Sequence, residues 1–290
     1  MKDKVNKCLL CGSNRSSVFD EREMHGYHVV NHICSDCGFI YLSPRMSEDE
    51  LDSFYKEHYR TLYQGQEDPT TANLKTQTLR AEDLHQFAQK SAGKVKRFLD
   101  IGASAGLLME AFKNNSGSEI VGVEPGDSYR VFSQGKGLTL YSSLEEMQKV
   151  GEEKFDIICM SHVLEHISDP KEYLLGLREL LNKGGYLLLQ VPHVTWHDSF
   201  EIAHLTSFSP HTLREMVQVV GYKQVSIKSH GYPLSKLFPI YTTILARKIE
   251  LDDEYAIRAD SFVKSKRKTA EFMKKVFGRL FPYLAWVPRE

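Results

Sequence analysis

The sequence predicts an α/β fold with a mostly parallel central sheet, preceded by a small cysteine-rich module. Between residues 94 and 248, short apolar runs typical of buried strands alternate with amphipathic segments typical of helices. Elements that alternate in this way form a parallel sheet with crossover helices. Before this region, two Cys-x-x-Cys-Gly sequences lie within residues 1–43. These observations divide the chain into a large α/β domain and a smaller N-terminal unit.

The length agrees with this division. A chain of 290 residues holds one full α/β domain and smaller appendages, because single domains mostly run from ~100 to 200 residues. Changes in composition predict four segments. They are the cysteine module (1–43), a helical linker or substrate lid (44–93), the α/β domain (94–248) and C-terminal amphipathic helices (249–290).

Charge and hydropathy argue against several classes of function. The formal net charge is −1, with 37 Lys and Arg against 38 Asp and Glu, so a nucleic-acid substrate is disfavoured. No apolar run approaches the ~20 residues of a membrane-spanning helix, and no apolar segment follows the Lys-rich N-terminus as in a signal peptide. We therefore expect a cytoplasmic protein. In that reducing compartment, the five cysteines are expected to be metal ligands or core residues rather than disulfides.

The two cysteine pairs predict a structural zinc site. In each pair, the glycine permits a tight turn on which two thiolates can face one ion. Two such turns close a tetrahedral shell of four thiolates that leaves no position for a reacting water. The expected ligands are Cys8, Cys11, Cys34 and Cys37. Three histidines between the pairs are interpreted as solvated or substrate-facing: His25, His28 and His32.

The linker predicts two helices. The first begins near Ser47 and carries aromatic residues at helical spacing, among them Tyr55 and Tyr59. This aromatic face either packs against the main domain or places the two tyrosines over a substrate pocket. The second helix is predicted over residues 71–92 and ends at Gly93. It leads directly into the first strand of the α/β domain.

The first strand and the turn after it predict a nucleoside-binding edge. The strand (98–101) is followed by Gly102 and Gly106, and glycines allow the backbone to approach a ligand closely. The next strand ends in Glu124, the position at which a doubly wound sheet holds ribose hydroxyls. The glycines lack the G-x-G-x-x-G spacing of a pyrophosphate site. We therefore expect a nucleoside ligand without a diphosphate.

The remaining elements continue the alternation. The predicted helices cover 127–134, 143–149, a segment from Asp169-Pro170 to Gly184-Gly185, and one from Ser209-Pro210 to Gly221; the predicted strands cover 138–141, 155–160, 186–191, 223–229 and 241–247. Cys159 is interpreted as a buried small hydrophobe. The basic, amphipathic C-terminal segment either packs on its own domain or lies on an anionic membrane or a partner.

Taken together, these motifs resemble the class I S-adenosylmethionine-dependent methyltransferases. The resemblance extends from the cysteine pairs to about Arg247 and rests on FLDIGASAG, VGVEPG, FDIICMSHVLEHISDP and AHLTSFSPHTL. It is strongest to the group in which a zinc module precedes the methyltransferase domain, which includes C-methyltransferases of nucleotide-linked deoxysugars. That group usually has a further C-terminal domain for which this chain is too short. The resemblance implies a Rossmann-like sheet with one antiparallel strand.

The resemblance also implies roles for individual residues. The methionine end of the cofactor would contact Asp100, Gly102, Ser104 and Gly106. Glu124 would bind the ribose and Pro125 would lie against the adenine, with Leu144 in the loop that reads the adenine amine. Met160, Ser161 and His162 would stand where the methyl group meets the acceptor. The reaction would then need only an aligned acceptor and a base.

The resemblance favours His204 as that base, since it matches a histidine near the acceptor in the sugar enzymes. The alternative is that His204 only shapes the pocket by a hydrogen bond. His162 is the second candidate in the pocket, and His166 is expected to be structural. The segment from His162 to His166 also has the H-x-x-E-H pattern of a zinc-protease signature. It follows a strand, however, and lacks the helix that such a protease needs. Ala203 replaces the glutamate that precedes this histidine in the C-methyltransferases, so O-methylation is at least as well supported.

The sequence therefore predicts methyl transfer from S-adenosylmethionine to a small acceptor, preferably a nucleotide sugar or another glycan precursor. One alternative is a non-catalytic scaffold or sensor that binds the cofactor and docks a partner through its zinc module. A methyltransferase of RNA or protein is less favoured, because it would need a basic surface around the pocket.

Overall fold

The computed structural model describes residues 3–47, 50–51, 54, 68–251 and 255–286. In this part of the chain, two sheets are formed, one of four strands and one of seven. The larger sheet carries the main apolar core on both of its faces. No helix within these residues is long and apolar enough to cross a membrane.

The smaller sheet combines the N-terminal module with a distant strand. Its order is β1-β2-β3-β9 and all its pairs are antiparallel. The strands are β1 (Ser16–Met24), β2 (Tyr27–Cys34), β3 (Ile40–Leu42) and β9 (Thr206–Ser207). Because β9 follows His204 directly, the module is attached to the loop that carries this histidine.

The larger sheet has the order β10-β11-β8-β7-β4-β5-β6. Only β11 runs against its neighbours, while the pairs from β8 to β6 are parallel. The predicted mostly parallel sheet with one antiparallel strand is thus confirmed. Its strands are β4 (Arg97–Ile101), β5 (Glu119–Val123), β6 (Leu140–Tyr141), β7 (Phe155–Ser161), β8 (Leu181–Pro192), β10 (Tyr222–His230) and β11 (Tyr241–Lys248).

Helices cover the larger sheet and begin at the predicted caps. The Asp169 carboxylate accepts from the amides of Lys171 and Glu172, and the Ser209 hydroxyl accepts from the amide of Thr212. The helices are α1 (Thr71–Ala92), α2 (Leu107–Ser116), α3 (Asp127–Gln134), α4 (Leu144–Val150), α5 (Pro170–Leu180), α6 (Pro210–Val219), α7 (Val263–Leu280) and α8 (Pro282–Ala285). A short 3₁₀ turn, Leu164–His166, follows β7.

One predicted boundary is wrong. Helix α5 ends at Leu180, before the Gly184-Gly185 pair that was expected to stop it. Leu181 instead enters β8 opposite Phe155, and the register shifts before the chain resumes regular pairing. The glycines therefore lie within the strand rather than at the end of the helix.

The C-terminal helix packs one side on the protein. Val263 and Ala270 are buried, and the Arg267 guanidinium donates to the carbonyl of Val194 at 2.6 Å. Phe272 on the opposite side is 68% exposed. Of the two interpretations of this segment, packing on the rest of the chain accounts for its buried face.

Candidate active site

The glycine turn after β4 is closed by its own hydrogen bonds. Gly102, Ser104 and Gly106 all have positive φ angles, between 49° and 75°. The amides of Gly102 and Ala103 donate to the carbonyl of Val123, and the amide of Ser104 donates to Glu124 Oε2 at 2.8 Å. A diphosphate nest needs several free amides at one place. In this turn, the three amides already donate to other groups of the protein, so they are not available to a diphosphate. This agrees with the expected nucleoside ligand without a diphosphate.

Two buried acids stand beside this turn. Asp100 lies at the end of β4 and Glu124 directly follows β5, and they are 3% and 4% exposed. Burial, and then the charge of Glu124, raise the pKa of Asp100 to about 8. Glu124 Oε1 accepts from the amide of Gly126 at 2.8 Å, so its carboxylate is held in one orientation. The pair therefore favours a ligand that carries positive charge.

The turn also supports the loop after β7. A Cβ atom added to Gly102 would lie 2.4 Å from Cγ2 of Val163. We expect Gly102→Ala to lower the free energy of unfolding by about 1–2 kcal/mol for the left-handed backbone and by a further ~1–3 kcal/mol for the overlap. Gly117→Ala is the matched control, since Gly117 also has a positive φ but no atom within 4 Å. Equal losses in urea unfolding of the two variants would contradict the contact.

The other predicted cofactor residues lie at the same edge of the sheet. Met160 and Ser161 end β7, and Met160 is fully buried. Pro125 is exposed beside Glu124. Leu144 opens α4 and packs against the core, so its position is set by the core as well as by any ligand.

His162 follows β7 with a φ angle of 57°, which is unusual for a residue other than glycine. Its backbone amide donates to the carbonyl of Gln190 at 2.8 Å. Its Nδ1 lies 3.4 Å from Glu165 Oε1, while its Nε2 is buried with no hydrogen-bond partner in the described residues. Burial, and then the charge of Arg80, lower the pKa of His162 well below 6.5. His162 is therefore a neutral imidazole at neutral pH.

His204 is held at both ring nitrogens. Its Nδ1 lies 2.8 Å from the carbonyl oxygen of Ser199, and its Nε2 lies 2.9 Å from Glu201 Oε1. Burial by itself lowers the pKa of His204, but the hydrogen bond and charge of Glu201 and the charge of Glu165 outweigh it and raise the pKa overall. His204 is thus held as a hydrogen-bonded partner of Glu201, a residue whose role could not be inferred from its position in the sequence.

A second group of potential ligands adjoins this pair. One donor atom each from Glu165, His166 and His204 lie within 4.8 Å of one another. Nδ1 of His166 hydrogen-bonds the carbonyl of Ala203 at 2.8 Å, which agrees with a structural contribution from His166. Both Glu165 oxygens are buried without a hydrogen-bond partner among the described residues. The group can hold a proton or a cation, and the charge of its one acid, Glu165, favours the protonated form of His204.

The four cysteines of the N-terminal pairs converge. Their sulfurs lie within 4.8 Å of one another; Cys8 and Cys37 are separated by 3.5 Å and Cys11 and Cys34 by 3.6 Å. In a tetrahedral site with Zn–S bonds of ~2.3 Å, sulfurs stand about 3.8 Å apart. The observed separations are close to this value and well beyond the ~2.05 Å of a disulfide bond. The four thiols therefore fit a zinc ion.

The module is joined to the histidine-bearing loop at two places. Strand β3 pairs Tyr41 with Thr206, and the amide of Leu42 donates to the carbonyl of Leu205 at 2.9 Å. From the other side, the amide of Asp260 donates to the carbonyl of Cys37 at 3.0 Å. The cysteine module thus determines where the segment after His204 lies.

Tyr55 and Tyr59, the predicted acceptor-side tyrosines, lie outside the described residues. Sequence reasoning gave no role to two acids of the site, the buried Glu165 and the half-buried Glu201, and did not find the residues that surround Tyr241. Each acid lies three residues from its histidine, whereas the residues around Tyr241 come from separate helices, strands and loops.

Comparison with known proteins agrees with this geometry. Residues 73–227 match the family model described as a methyltransferase domain. The chain is similar to a ubiquinone biosynthesis O-methyltransferase of a Ruegeria species, with 34% identity over 96 residues that cover 31% of this chain and 38% of that protein. The protein of that name from Cereibacter sphaeroides shows 30% identity over 130 residues, covering 42% and 52%. The chain thus spans about half the length, or less, of these curated relatives.

Solved structures show the same fold. The 1,6-didemethyltoxoflavin-N1-methyltransferase of Burkholderia thailandensis, solved with 1,6-didemethyltoxoflavin and S-adenosylhomocysteine, superposes with a TM-score of 0.56 at 16% identity over 74% of this chain and 98% of that one. A plantazolicin methyltransferase in complex with S-adenosylhomocysteine gives a TM-score of 0.52 at 12% identity, over 69% and 94%. At these identities the likeness concerns the Rossmann-like α/β fold alone.

Proposed function

Because the chain belongs to the methyltransferase-domain family, we propose that it transfers the methyl group of S-adenosylmethionine to a small acceptor. The observation that carries the proposal is the meeting of the glycine turn, the acids Asp100 and Glu124, and His162 at one edge of the sheet. The curated relatives are named O-methyltransferases, which supports an oxygen as the methylated atom.

The charge of the site suits this cofactor, which supplies a positively charged methylsulfonium with a neutral leaving group. Burial, and then the charge of Glu124, raise the pKa of Asp100, and a cationic ligand beside Asp100 would favour its ionised form. Glu124 would accept the ribose hydroxyls, since an ionised carboxylate is an acceptor at both of its oxygens. The remaining cofactor contacts are proposed for Gly102, Ser104, Gly106, Pro125, Leu144, Met160 and Ser161.

We assign the base to His162 in preference to His204. His162 is neutral and its Nε2 has no described partner, whereas both nitrogens of His204 are engaged. As the acceptor oxygen bonds to the methyl carbon and the carbon–sulfur bond breaks, the hydroxyl proton would pass to His162 Nε2. Glu165, 3.4 Å from Nδ1, would stabilise the imidazolium that forms. His204, held by Glu201, would then orient His162. It remains the alternative base.

For the acceptor we propose a hydroxylated small molecule, with a nucleotide sugar or another glycan precursor as the first choice. Ala203, buried where the C-methyltransferases have a glutamate, favours the hydroxyl over a carbon as the methylated atom. The pairing of β3 with β9 supports the cysteine module as one wall of the acceptor pocket. Tyr55 and Tyr59 are proposed to line the acceptor side.

We further propose that the four cysteines bind a structural zinc ion. A closed four-thiolate shell does no chemistry, so its contribution is to fold the module and hold β3 against β9. The free thiols and this metal are consistent with a reducing, cytoplasmic location.

Methyl transfer can be tested directly. The zinc-loaded full chain would be incubated with methyl-labelled S-adenosylmethionine and a panel of nucleotide sugars, sugar phosphates and phenolic acids. We expect label in at least one acceptor, with stoichiometric release of S-adenosylhomocysteine. Tight cofactor binding without transfer to any acceptor would favour the scaffold alternative, and absence of cofactor binding would refute the proposal.

Glu124→Gln tests the cofactor assignment separately. Hydrogen bonds to a charged group contribute ~1.5–3 kcal/mol each, so the loss of the ribose contact should weaken S-adenosylmethionine binding by about 10- to 100-fold in isothermal titration calorimetry. Glu119→Gln is the control, because Glu119 is exposed at the opposite end of the same strand. Unchanged affinity in Glu124→Gln would remove this residue from the cofactor site.

A further inference from the structure

Four polar side chains surround the ring of Tyr241 at the carboxyl edge of the sheet. The ring centroids of His162, His197 and His230 lie 4.9, 6.0 and 5.9 Å from that of Tyr241. The guanidinium carbon of Arg80, on α1, lies 5.2 Å from the same centroid. We call Arg80, His162, His197, His230 and Tyr241 the Tyr241 cluster.

Each of the four polar members has a buried nitrogen that lacks a hydrogen-bond partner within the described residues. These atoms are Arg80 Nε, His162 Nε2, His197 Nδ1 and His230 Nδ1. A buried polar atom left without a partner is costly, and four at one place are unusual in a folded protein. These four nitrogens are therefore available to a partner from outside the described residues, such as water or a bound ligand.

The cluster carries one positive charge that no described carboxylate neutralises. The Arg80 guanidinium donates from Nη2 to the Tyr241 hydroxyl at 3.3 Å. Asp83, one turn along α1, is instead paired with Lys228 at 2.7 Å. The three imidazoles add no charge, because burial lowers the pKa values of His197 and His230 to about 4 and that of His162 well below 6.5.

The cluster adjoins the proposed site of methyl transfer. Tyr241 begins β11 opposite Pro192, the last residue of β8. Gln190, two residues earlier, accepts at its carbonyl from the amide of His162, the proposed base. A ligand bound by the Tyr241 cluster would therefore contact His162, which directly follows β7.

We propose that the Tyr241 cluster is the acceptor subsite, and that it takes a hydroxylated small molecule bearing a carboxylate or a phosphate. Resting on the proposed function, this inference names the chemical class of its acceptor. The planar guanidinium of Arg80 pairs with the oxyanion, for which its fork of donors is suited. The neutral imidazoles accept from hydroxyl groups of the ligand.

The test uses the full chain loaded with zinc and S-adenosylhomocysteine and three matched probes: glucose, glucuronate and glucose 6-phosphate. Binding would be followed by ligand-observed NMR. We expect at least one charged probe to bind at least tenfold more tightly than glucose, and the comparison of glucuronate with glucose 6-phosphate identifies the oxyanion. Equal binding of all three, or binding of none, would overturn the proposal.

Arg80→Gln should weaken binding of the charged probe at least tenfold and leave binding of glucose unchanged. Arg80→Lys should restore part of the affinity for the charged probe. Lys90→Gln, an exposed position in the last turn of the same helix, should have no effect. Binding of S-adenosylhomocysteine reports whether each variant is folded. If neutral acceptors are methylated and Arg80→Gln has no effect, the subsite is wrong while the proposed function stands.

Discussion

His162→Ala is expected to lower the rate of methyl transfer by about 10²–10⁴-fold, the usual contribution of a positioned general base. The side chain follows β7, its Nε2 has no hydrogen-bond partner among the described residues, and its loss removes the proposed proton acceptor. The proposed cofactor contacts do not include this imidazole. The dissociation constant of S-adenosylmethionine should therefore change less than threefold in isothermal titration calorimetry. Single-turnover rates with a labelled cofactor would measure the effect.

Two variants make this result specific. His28→Ala is a control, since His28 is exposed and pairs with Glu21 and Glu23 at the surface of β1 and β2. His204→Ala tests the alternative base. If His204→Ala abolishes turnover and His162→Ala retains it, the two histidines exchange roles.

The pH dependence separates the same two candidates without a mutation. A general base works in its deprotonated form, so activity falls as pH drops through its pKa. The pKa of His162 is lowered well below 6.5, and kcat/KM should therefore stay level through pH 6.5 and fall only at lower pH. The pKa of His204 is raised, so a profile that already declines above pH 6.5 would indicate His204.

Cys37→Ser is expected to remove the zinc ion and unfold the N-terminal module. Structural zinc binding is associated with ~10–16 kcal/mol of apparent free energy at neutral pH, which is as large as the ~5–15 kcal/mol that stabilises a typical domain. The loss should spread to the active site, because Cys37 and Gly38 contact Asp260 and β3 carries β9. Metal analysis should show one zinc per chain in the parent protein and less than half of that in the variant.

Cys159→Ala is the matched control for this experiment. Cys159 is the fifth cysteine, fully buried in the core of the larger sheet and distant from the four thiols. Its replacement should lower the free energy of unfolding by about 1 kcal/mol, as small core truncations do, and leave the zinc content unchanged. If the parent protein holds no zinc, or if Cys37→Ser melts at the parent temperature, the structural zinc site is refuted.

The central fold was predictable because its determinants are local. The alternation of apolar strands and capped helices between Phe98 and Arg247 appears in order along the chain, and so does the glycine turn. The end of α5 was not predictable, since Gly184 and Gly185 resemble a helix stop but belong to β8. Strand pairing, which is a long-range contact, overrode the local preference at that point.

The active site was predictable only in part. Asp100 and Glu124 could be placed from their positions at strand ends, which parallel strands bring to one edge. The engagement of His204 by Glu201 and Ser199 was not predictable, because outside a regular helix a separation of three or five residues does not fix which groups come into contact. The contacts change the preferred base from His204 to His162, a reversal that no spacing of residues indicates.

By itself, the sequence determined the α/β domain, the glycine turn with the acids at the ends of its strands, and the four thiols of the N-terminal module, because repeated local patterns and fixed short spacings encode them. Only the tertiary structure decided that the module shares a sheet with the loop after His204 and that Arg80 and three histidines meet on Tyr241. A two-residue strand and a cluster drawn from five separate segments have no periodicity of their own. They exist because packing of the whole chain brings distant residues into contact.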